Sequence, residues 1–151
     1  MEIERKYLIR QLPEGYASHP VQHIEQGYLN TRPVVRIRRQ DTDYYLTYKS
    51  DGLMVRKEYN LPLNEEAYLH LREKVDGHLI TKKRYRIPYQ DNLTIELDIF
   101  EGSLAPLMLA EVEFDSEEEA NAFCPPEWFG EDVTFSGQYH NSRLSQQGLP
   151  G

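Results

Sequence analysis

Most of the chain alternates between hydrophobic and polar residues with a period of two, the pattern of half-buried β-strands. Eight strands are predicted, at residues 2–10, 21–30, 34–40, 44–50, 53–61, 79–88, 93–100 and 107–114. Gly52 and the Asp91-Asn92 pair supply turns between neighbouring strands. Eight successive strands joined mostly by short connections indicate a closed antiparallel β-barrel, and hence a mainly β (α+β) fold with one domain over residues 1–151.

Two helical patterns interrupt the strands, and we expect both helices to pack outside the barrel. The first covers residues 65–75 and follows Asn64, a favourable N-cap residue. Its apolar stripe consists of Ala67, Leu71 and Val75. The second begins after Ser116, where Glu119 completes a capping box. The tail after Leu144 is expected to be loose.

Charged residues occupy one face of almost every predicted strand, because residues two apart point the same way. The groups that share a face are Glu2, Glu4 and Lys6; Arg36 and Arg38; Thr47 and Lys49; Arg56 and Glu58; Lys82, Arg84 and Arg86; Glu96 and Asp98; Glu111 and Glu113. For any single strand, a solvent-exposed face is the simpler explanation. Like charges recur in close pairs, however, and would repel unless a counter-charge lies between them. Divalent metal and polyphosphate together satisfy both signs, which places the charged faces inside the barrel.

Charge and composition limit the possible partners. The 151 residues carry a formal net charge of −8, which argues against nucleic acid or an acidic membrane on the outer surface. One cysteine, Cys124, excludes a disulfide framework and favours a cytoplasmic protein. We see no signal peptide and no apolar run long enough to span a membrane. If the apolar strand faces point outward, helices and a second subunit could cover them, so a homodimer is possible.

Taken in order, these motifs resemble the CYTH domain family, also called triphosphate tunnel metalloenzymes. The matching segments are Glu2-x-Glu4-x-Lys6, Gln26-Gly27-Tyr28-Leu29, Arg36-Ile37-Arg38, Thr47-Tyr48-Lys49, Arg56-Lys57-Glu58, Lys82-Lys83-Arg84-Tyr85, Glu96-Leu97-Asp98, Glu111-Val112-Glu113 and Tyr139-His140-Asn141. The resemblance covers nearly the whole chain. It implies an eight-stranded antiparallel tunnel that binds a triphosphate with a divalent metal and cleaves it. The short chain looks most like the small bacterial inorganic tripolyphosphatases.

The resemblance also implies roles for the charged residues, each of which could instead form ordinary ion pairs. The expected metal ligands, for Mg²⁺ or Mn²⁺, are Glu2, Glu4, Asp98, Glu111 and Glu113, with Glu96 a weaker candidate. The expected phosphate-binding residues are Lys6, Arg36, Arg38, Lys49, Arg56 and Arg84. Lys82 looks like the residue that activates the attacking water, although it could be one more phosphate contact. The five histidines show no metal-ligand spacing and are expected to be surface or packing residues.

Several alternatives remain open on the sequence alone. A class IV adenylyl cyclase would need an adenine pocket, and a thiamine triphosphatase would need an aromatic clamp, whereas Trp128 is expected to pack. A non-catalytic polyphosphate binder would bind the same ligand and release no phosphate. Many bacterial members have basic residues before the C-terminal Tyr-x-Asn, where this chain has Gly137-Gln138. Asn60 also stands at a position where relatives can carry an acidic residue. These two departures leave the physiological substrate undecided.

Overall fold

Ten antiparallel strands and three α-helices form the protein in a computed structural model that describes all of residues 1–151. The strands are β1 (Glu2–Ile9), β2 (Val21–Thr31), β3 (Val34–Gln40), β4 (Asp43–Lys49), β5 (Val55–Arg56), β6 (Glu58–Leu63), β7 (Asp76–Pro88), β8 (Thr94–Phe100), β9 (Met108–Glu113) and β10 (Phe129–Asp132). The helices are α1 (Glu65–Arg72), α2 (Glu117–Asn121) and α3 (Asn141–Gln147). None of these helices combines the length and apolar character needed to cross a membrane.

The strands form one sheet in the order β10-β1-β9-β8-β7-β2-β3-β4-β6. The sheet closes because β5, next to β6 in the chain, pairs with β1 through Glu2 opposite Arg56. The predicted strand 53–61 is therefore two strands. They separate at Lys57, whose backbone N–H donates to Ser50 Oγ at 2.9 Å, so that β5 can leave the edge of β4 and reach β1. The ring has eight positions when β5 and β6 count as one strand and β10 continues that strand along β1, so the antiparallel eight-stranded barrel is confirmed.

The last strand and the last helix were not predicted. β10 pairs with β1 at Tyr7 and Ile9, along the edge that β5 leaves free. The prediction of a loose tail after Leu144 was wrong over its first residues, since α3 continues to Gln147 and packs against β7 and β2. Leu144 is only 1% exposed. Burial of this side chain stabilises α3, although the helix has little apolar pattern of its own.

The two predicted N-caps are confirmed. Asn64 Oδ1 accepts a hydrogen bond from the N–H of Ala67 at 2.7 Å, and Ser116 Oγ accepts from Glu119 at 3.1 Å. The first helix ends at Arg72, earlier than predicted, because β7 already begins at Asp76. Its most buried residue is Tyr68, rather than a member of the expected stripe.

Hydrophobic side chains lie both outside the barrel and at one end of its interior. Outside, Ala110, Val112 and Ile95 pack in a cluster with Ala120 of α2. The other cluster contains Val34, Tyr28, Ile80, Phe100, Leu104, Leu109, Val133 and Leu144. Val34, Ile80, Phe100 and Leu109 share faces with the charged residues of their strands, so this cluster closes one end of the interior. The outer faces of β4 and β6 remain partly uncovered, as Tyr59 and Leu61 show.

Candidate active site

The charged strand faces enclose a cavity of about 200 Å³ within the barrel. Of the side chains lining it, only Tyr28 and Val34 are hydrophobic. Seven are basic (Lys6, Arg36, Arg38, Lys49, Arg56, Arg84 and Arg86) and six are acidic (Glu2, Glu4, Glu58, Glu96, Glu111 and Glu113). The inward direction of the charged faces is therefore confirmed. In a chain of net charge −8, this interior is close to neutral and can accept an anion together with cations.

Three arginines crowd into the cavity. Arg36 Nη2 donates to Thr47 Oγ1 at 3.2 Å, and Arg38 Nε donates to Gln26 Oε1 at 2.8 Å. Burial, reinforced by Arg36 and Arg84, lowers the pKa of Arg38 to about 9. The Arg36 Nε atom is buried without any hydrogen-bond partner. Buried donors are almost always satisfied, so this cluster has the donors and the excess positive charge that an anionic ligand would use.

The two predicted lysines, Lys49 and Lys6, are held by acidic or carbonyl groups. Lys49 Nζ lies 3.1 Å from Glu2 Oε1 and 3.3 Å from Glu58 Oε2. Lys6 Nζ donates to the backbone oxygen of Tyr139 at 3.2 Å. Lys49 is almost fully buried. A buried ammonium group is costly without partners, and these contacts offset that cost. These contacts fix the two ammonium groups at the cavity wall.

The carboxylates of β1 and β9 influence one another strongly. Burial, together with Glu111 and Glu2, raises the pKa of Glu4 well above its ordinary value. For Glu111, burial acts in the same direction, but Lys6, Arg84 and Lys82 outweigh it and hold the pKa well below its usual range. Burial and the charge of Glu2 also raise the pKa of Glu113. A cation bound between these groups would favour their charged forms.

The donor set fits a metal that is shared with substrate. No group of three or more His, Cys, Asp or Glu side chains converges into a ready-made metal site. Mg²⁺ characteristically binds one or two carboxylates and completes its shell with phosphate oxygens and water. The cavity offers Glu2, Glu4, Glu111 and Glu113, with Glu96 beside them. Such a set suits a metal that arrives with a polyphosphate better than a permanently caged ion.

Asp98 lies behind the cavity wall instead of lining it. Its side chain is 0% exposed, and both oxygens are occupied. Oδ1 accepts from Arg84 Nε at 2.7 Å, and Oδ2 accepts from Arg84 Nη2 at 2.9 Å. The same Oδ2 lies 2.7 Å from Lys82 Nζ. This geometry favours an anchor for two cations over the direct metal ligand that the family resemblance implies.

Lys82 is also behind the wall. Its side chain is 0% exposed, and its Nζ donates to Asn141 Oδ1 at 3.0 Å. Burial lowers the pKa of Lys82 to about 7, opposed by Asp98 and reinforced by Arg84. The downward shift prevails because burial is the largest contribution and the positive charge of Arg84 acts against that of Asp98. Lys82 can therefore reach the neutral amine form that a base requires. It is separated from the cavity by one side chain, that of Asn141.

The segment before and at the start of α3 adds wall residues that the sequence did not identify as functional. His140, Asn141 and Ser142 line the cavity. Burial and the nearby Lys6, Arg56 and Lys49 lower the pKa of His140 to about 3. A neutral imidazole therefore lies near the cavity cations Lys6, Arg56 and Lys49, where the sequence indicated only a surface or packing histidine. The sequence signal for these wall residues is the Tyr139-His140-Asn141 motif, which here follows Gly137-Gln138 in place of basic residues.

Comparison with known proteins agrees with this fold. The family described as "CYTH domain" matches residues 1–146. An inorganic triphosphatase of Nitrosomonas europaea is 43% identical over 147 residues, which cover 95% of this chain and 96% of the relative. An inorganic triphosphatase of Acetivibrio thermocellus is 31% identical over 155 residues, covering 95% and 92%. A crystal structure of an inorganic triphosphatase superposes with a TM-score of 0.73 at 40% identity, covering 100% of this chain and 97% of the other.

The buried charged cavity inside an antiparallel barrel defines a tunnel-type phosphate-binding protein. This chain belongs to the CYTH domain family.

Proposed function

We propose that this protein is a hydrolase that cleaves inorganic tripolyphosphate into pyrophosphate and phosphate with a divalent metal. The observation that carries the proposal is the cluster of Arg36, Arg38 and Arg84, two buried arginines and one partly buried arginine that line one cavity. Arginine offers planar, paired donors that match phosphate oxygens. The relatives named inorganic triphosphatase support the same substrate.

The cavity lining favours an inorganic substrate over an organic one. Only Tyr28 and Val34 could contact an adenine or a thiamine ring. The single tryptophan, Trp128, packs edge-on against Phe129 at 4.7 Å in the outer hydrophobic cluster. A base or a thiazolium ring would thus gain little from this wall, since ligand pockets for such groups are mostly apolar. We accordingly do not favour the cyclase or thiamine triphosphatase alternatives.

In the proposed reaction, water attacks a terminal phosphorus in line with the bridging oxygen that leaves. The phosphorus–oxygen bond to the attacking water forms as the bridging bond breaks, and pyrophosphate departs with its electron pair. Lys6, Arg36, Arg38, Lys49, Arg56 and Arg84 hold the phosphate oxygens and stabilise the charge that they gain. Lys82, as the neutral amine, takes the proton of the water. Asp98 fixes the directions of both Arg84 and Lys82.

The residues that would hold the metal are Glu2, Glu4, Glu111 and Glu113, with Glu96 as an outer contributor. When bound, Mg²⁺ or Mn²⁺ supplies charge neutralisation on the phosphate oxygens and orientation of the attacking water. No residue in the cavity distinguishes Mg²⁺ from Mn²⁺, because both metals accept oxygen ligands.

A substrate panel tests the proposal. Phosphate release is measured from tripolyphosphate, ATP and thiamine triphosphate, each with Mg²⁺, with Mn²⁺ and with excess chelator. We expect rapid release from tripolyphosphate in the presence of metal, with pyrophosphate as the second product. Cyclic AMP formed from ATP would favour a cyclase, whereas tight tripolyphosphate binding without any release would identify a non-catalytic binder.

A further inference from the structure

The amino group of Lys82 has two polar partners on different parts of the fold. Nζ lies 2.7 Å from Asp98 Oδ2, on β8, and 3.0 Å from Asn141 Oδ1, at the start of α3. The ring of Phe100 lies on another side, 5.2 Å from Nζ. Since the Lys82 side chain is 0% exposed, these groups fix where its amine points.

The two partners differ in what else holds them. Asp98 also accepts both hydrogen bonds of Arg84, so it is fixed inside the barrel wall. Asn141 is carried by α3, whose packing on β7 and β2 sets its position. Asn141 lines the cavity, whereas neither Lys82 nor Asp98 does. Asn141 is thus the partner of Lys82 that lies between the amine and the space where a phosphoryl group can bind.

The chemistry of the amide determines its orientation. A lysine ammonium group only donates hydrogen bonds, so the amide oxygen of Asn141 must face Lys82. Only that oxygen of the side chain is engaged in the protein, through the 3.0 Å contact. The amide nitrogen keeps two N–H donors. They can donate to phosphate oxygens in the cavity, which Asn141 lines.

We propose that Asn141 is a positioning residue that links the phosphoryl group in the cavity to Lys82. Its oxygen orients the Lys82 amine, and its nitrogen donates to a phosphate oxygen, so that the two reacting groups are held by one side chain. The inference rests on the proposed function of Lys82 in tripolyphosphate hydrolysis. It gives the C-terminal segment a direct part in the reaction, for which the Tyr139-His140-Asn141 motif is the signal in the sequence.

Asn141→Ala should lower kcat about 10- to 100-fold, the factor expected when one hydrogen bond to a charged group is lost. KM should change much less, because the cations of the cavity still hold the substrate. Asn141→Asp retains an oxygen for Lys82 and should keep more of kcat, while its charge repels phosphate and raises KM. Arg143→Ala is the matched control, since Arg143 is exposed on the same helix and contacts Gln147.

A double-mutant cycle tests the link to Lys82, with the thermal midpoint of each variant as a check on folding. In the Lys82→Ala background, we expect Asn141→Ala to change kcat less than about twofold, because both substitutions disable the same function. Multiplied effects in the double mutant, or wild-type kcat in Asn141→Ala, would overturn the inference while leaving the proposed function intact. Should Asn141→Ala not fold, Asn141→Leu, which keeps the side-chain size and removes both amide groups, replaces it in the cycle. Wild-type kcat in Lys82→Ala would instead refute the base role, and the Asn141 inference with it.

Discussion

Asp98 and Arg84 form a two-point contact within the barrel wall, in which Nε and Nη2 of the arginine donate to the two carboxylate oxygens at 2.7 and 2.9 Å. The carboxylate also lies 2.7 Å from the Lys82 ammonium. One buried acid therefore contacts two buried bases, of which Arg84 also donates to Glu111 Oε1 at 3.3 Å. Removing one partner of such an arrangement leaves charge uncompensated in the interior, which is far more damaging than loss of a surface pair.

Asp98→Asn should accordingly destabilise the fold by roughly 3–5 kcal/mol, measured as the free energy of unfolding in denaturant. Asp43→Asn, the same change at an exposed aspartate that forms no ion pair, is the control and should cost about 0–1 kcal/mol. Unchanged stability in Asp98→Asn, together with loss of metal-dependent activity, would instead make Asp98 a metal ligand.

Arg38→Ala should weaken tripolyphosphate binding by roughly 1.5–3 kcal/mol, because it removes a charge-assisted contact to phosphate. Calorimetric titration of tripolyphosphate with metal present measures the change. Arg39→Ala is the matched control, since Arg39 is exposed and donates to the backbone oxygen of Asp41. Equal affinities of the two variants would show that Arg38 does not bind the substrate.

Glu4→Gln should have opposite effects on stability and on catalysis. Burial, Glu111 and Glu2 all disfavour the charged form of Glu4, so removing the charge should raise the metal-free thermal midpoint by about 2–4 °C, the shift that roughly 1 kcal/mol produces at this size. Activity with metal should fall, because a metal ligand is lost. Glu101→Gln, at an exposed carboxylate, serves as the control. A lower midpoint with full activity would contradict the metal role.

The rate should rise with pH as Lys82 loses its proton. An ammonium group cannot accept a proton, and the pKa of Lys82 is lowered to about 7. The neutral amine therefore predominates above that pH, and kcat should climb through it and then level off. Lys82→Ala should lower kcat by about 10²–10⁴-fold and abolish this rise. Lys83→Ala, on the outward face, is the control. A variant that keeps the wild-type rise would leave Lys82 as a phosphate contact.

Excess chelator should abolish phosphate release, and added Mg²⁺ or Mn²⁺ should restore it. The carboxylates of Glu2, Glu4, Glu111 and Glu113 face a cavity that also binds an anion, and they repel that anion unless a cation neutralises them. Phosphate release is followed with increasing chelator at constant tripolyphosphate. Full activity in chelator would exclude a metal from the reaction.

Strand parity predicted the barrel and the inward face of its charges, because a period of two assigns each side chain to one side of the sheet. The alternation does not show how deeply each side chain on that face is buried. Lys82, Arg84 and Arg86 share it, yet their side chains are 0%, 8% and 43% exposed. Asn141 separates Lys82 from the cavity. The two residues are distant in the sequence and become neighbours only in the folded chain.

The elements that escaped prediction are those formed by tertiary contacts. β10 has four residues, Phe-Gly-Glu-Asp, and no alternation long enough to recognise. It forms because β5 covers only the beginning of one edge of β1. α3 buries only Leu144 and Ser145, too little for an amphipathic stripe. Both elements follow the second helix.

The first strand obtains its neighbours late, and this should govern how the chain folds. Lys6 N donates to Thr134 Oγ1, 128 residues away along the chain, and β1 pairs with β9 and β10. Contacts between such distant residues make folding slow, because a long loop must close before they can form. During synthesis, β1 waits as an unpaired strand while most of its partners are still to be made. Slower production at low temperature should therefore improve the yield of correctly closed barrels relative to aggregates.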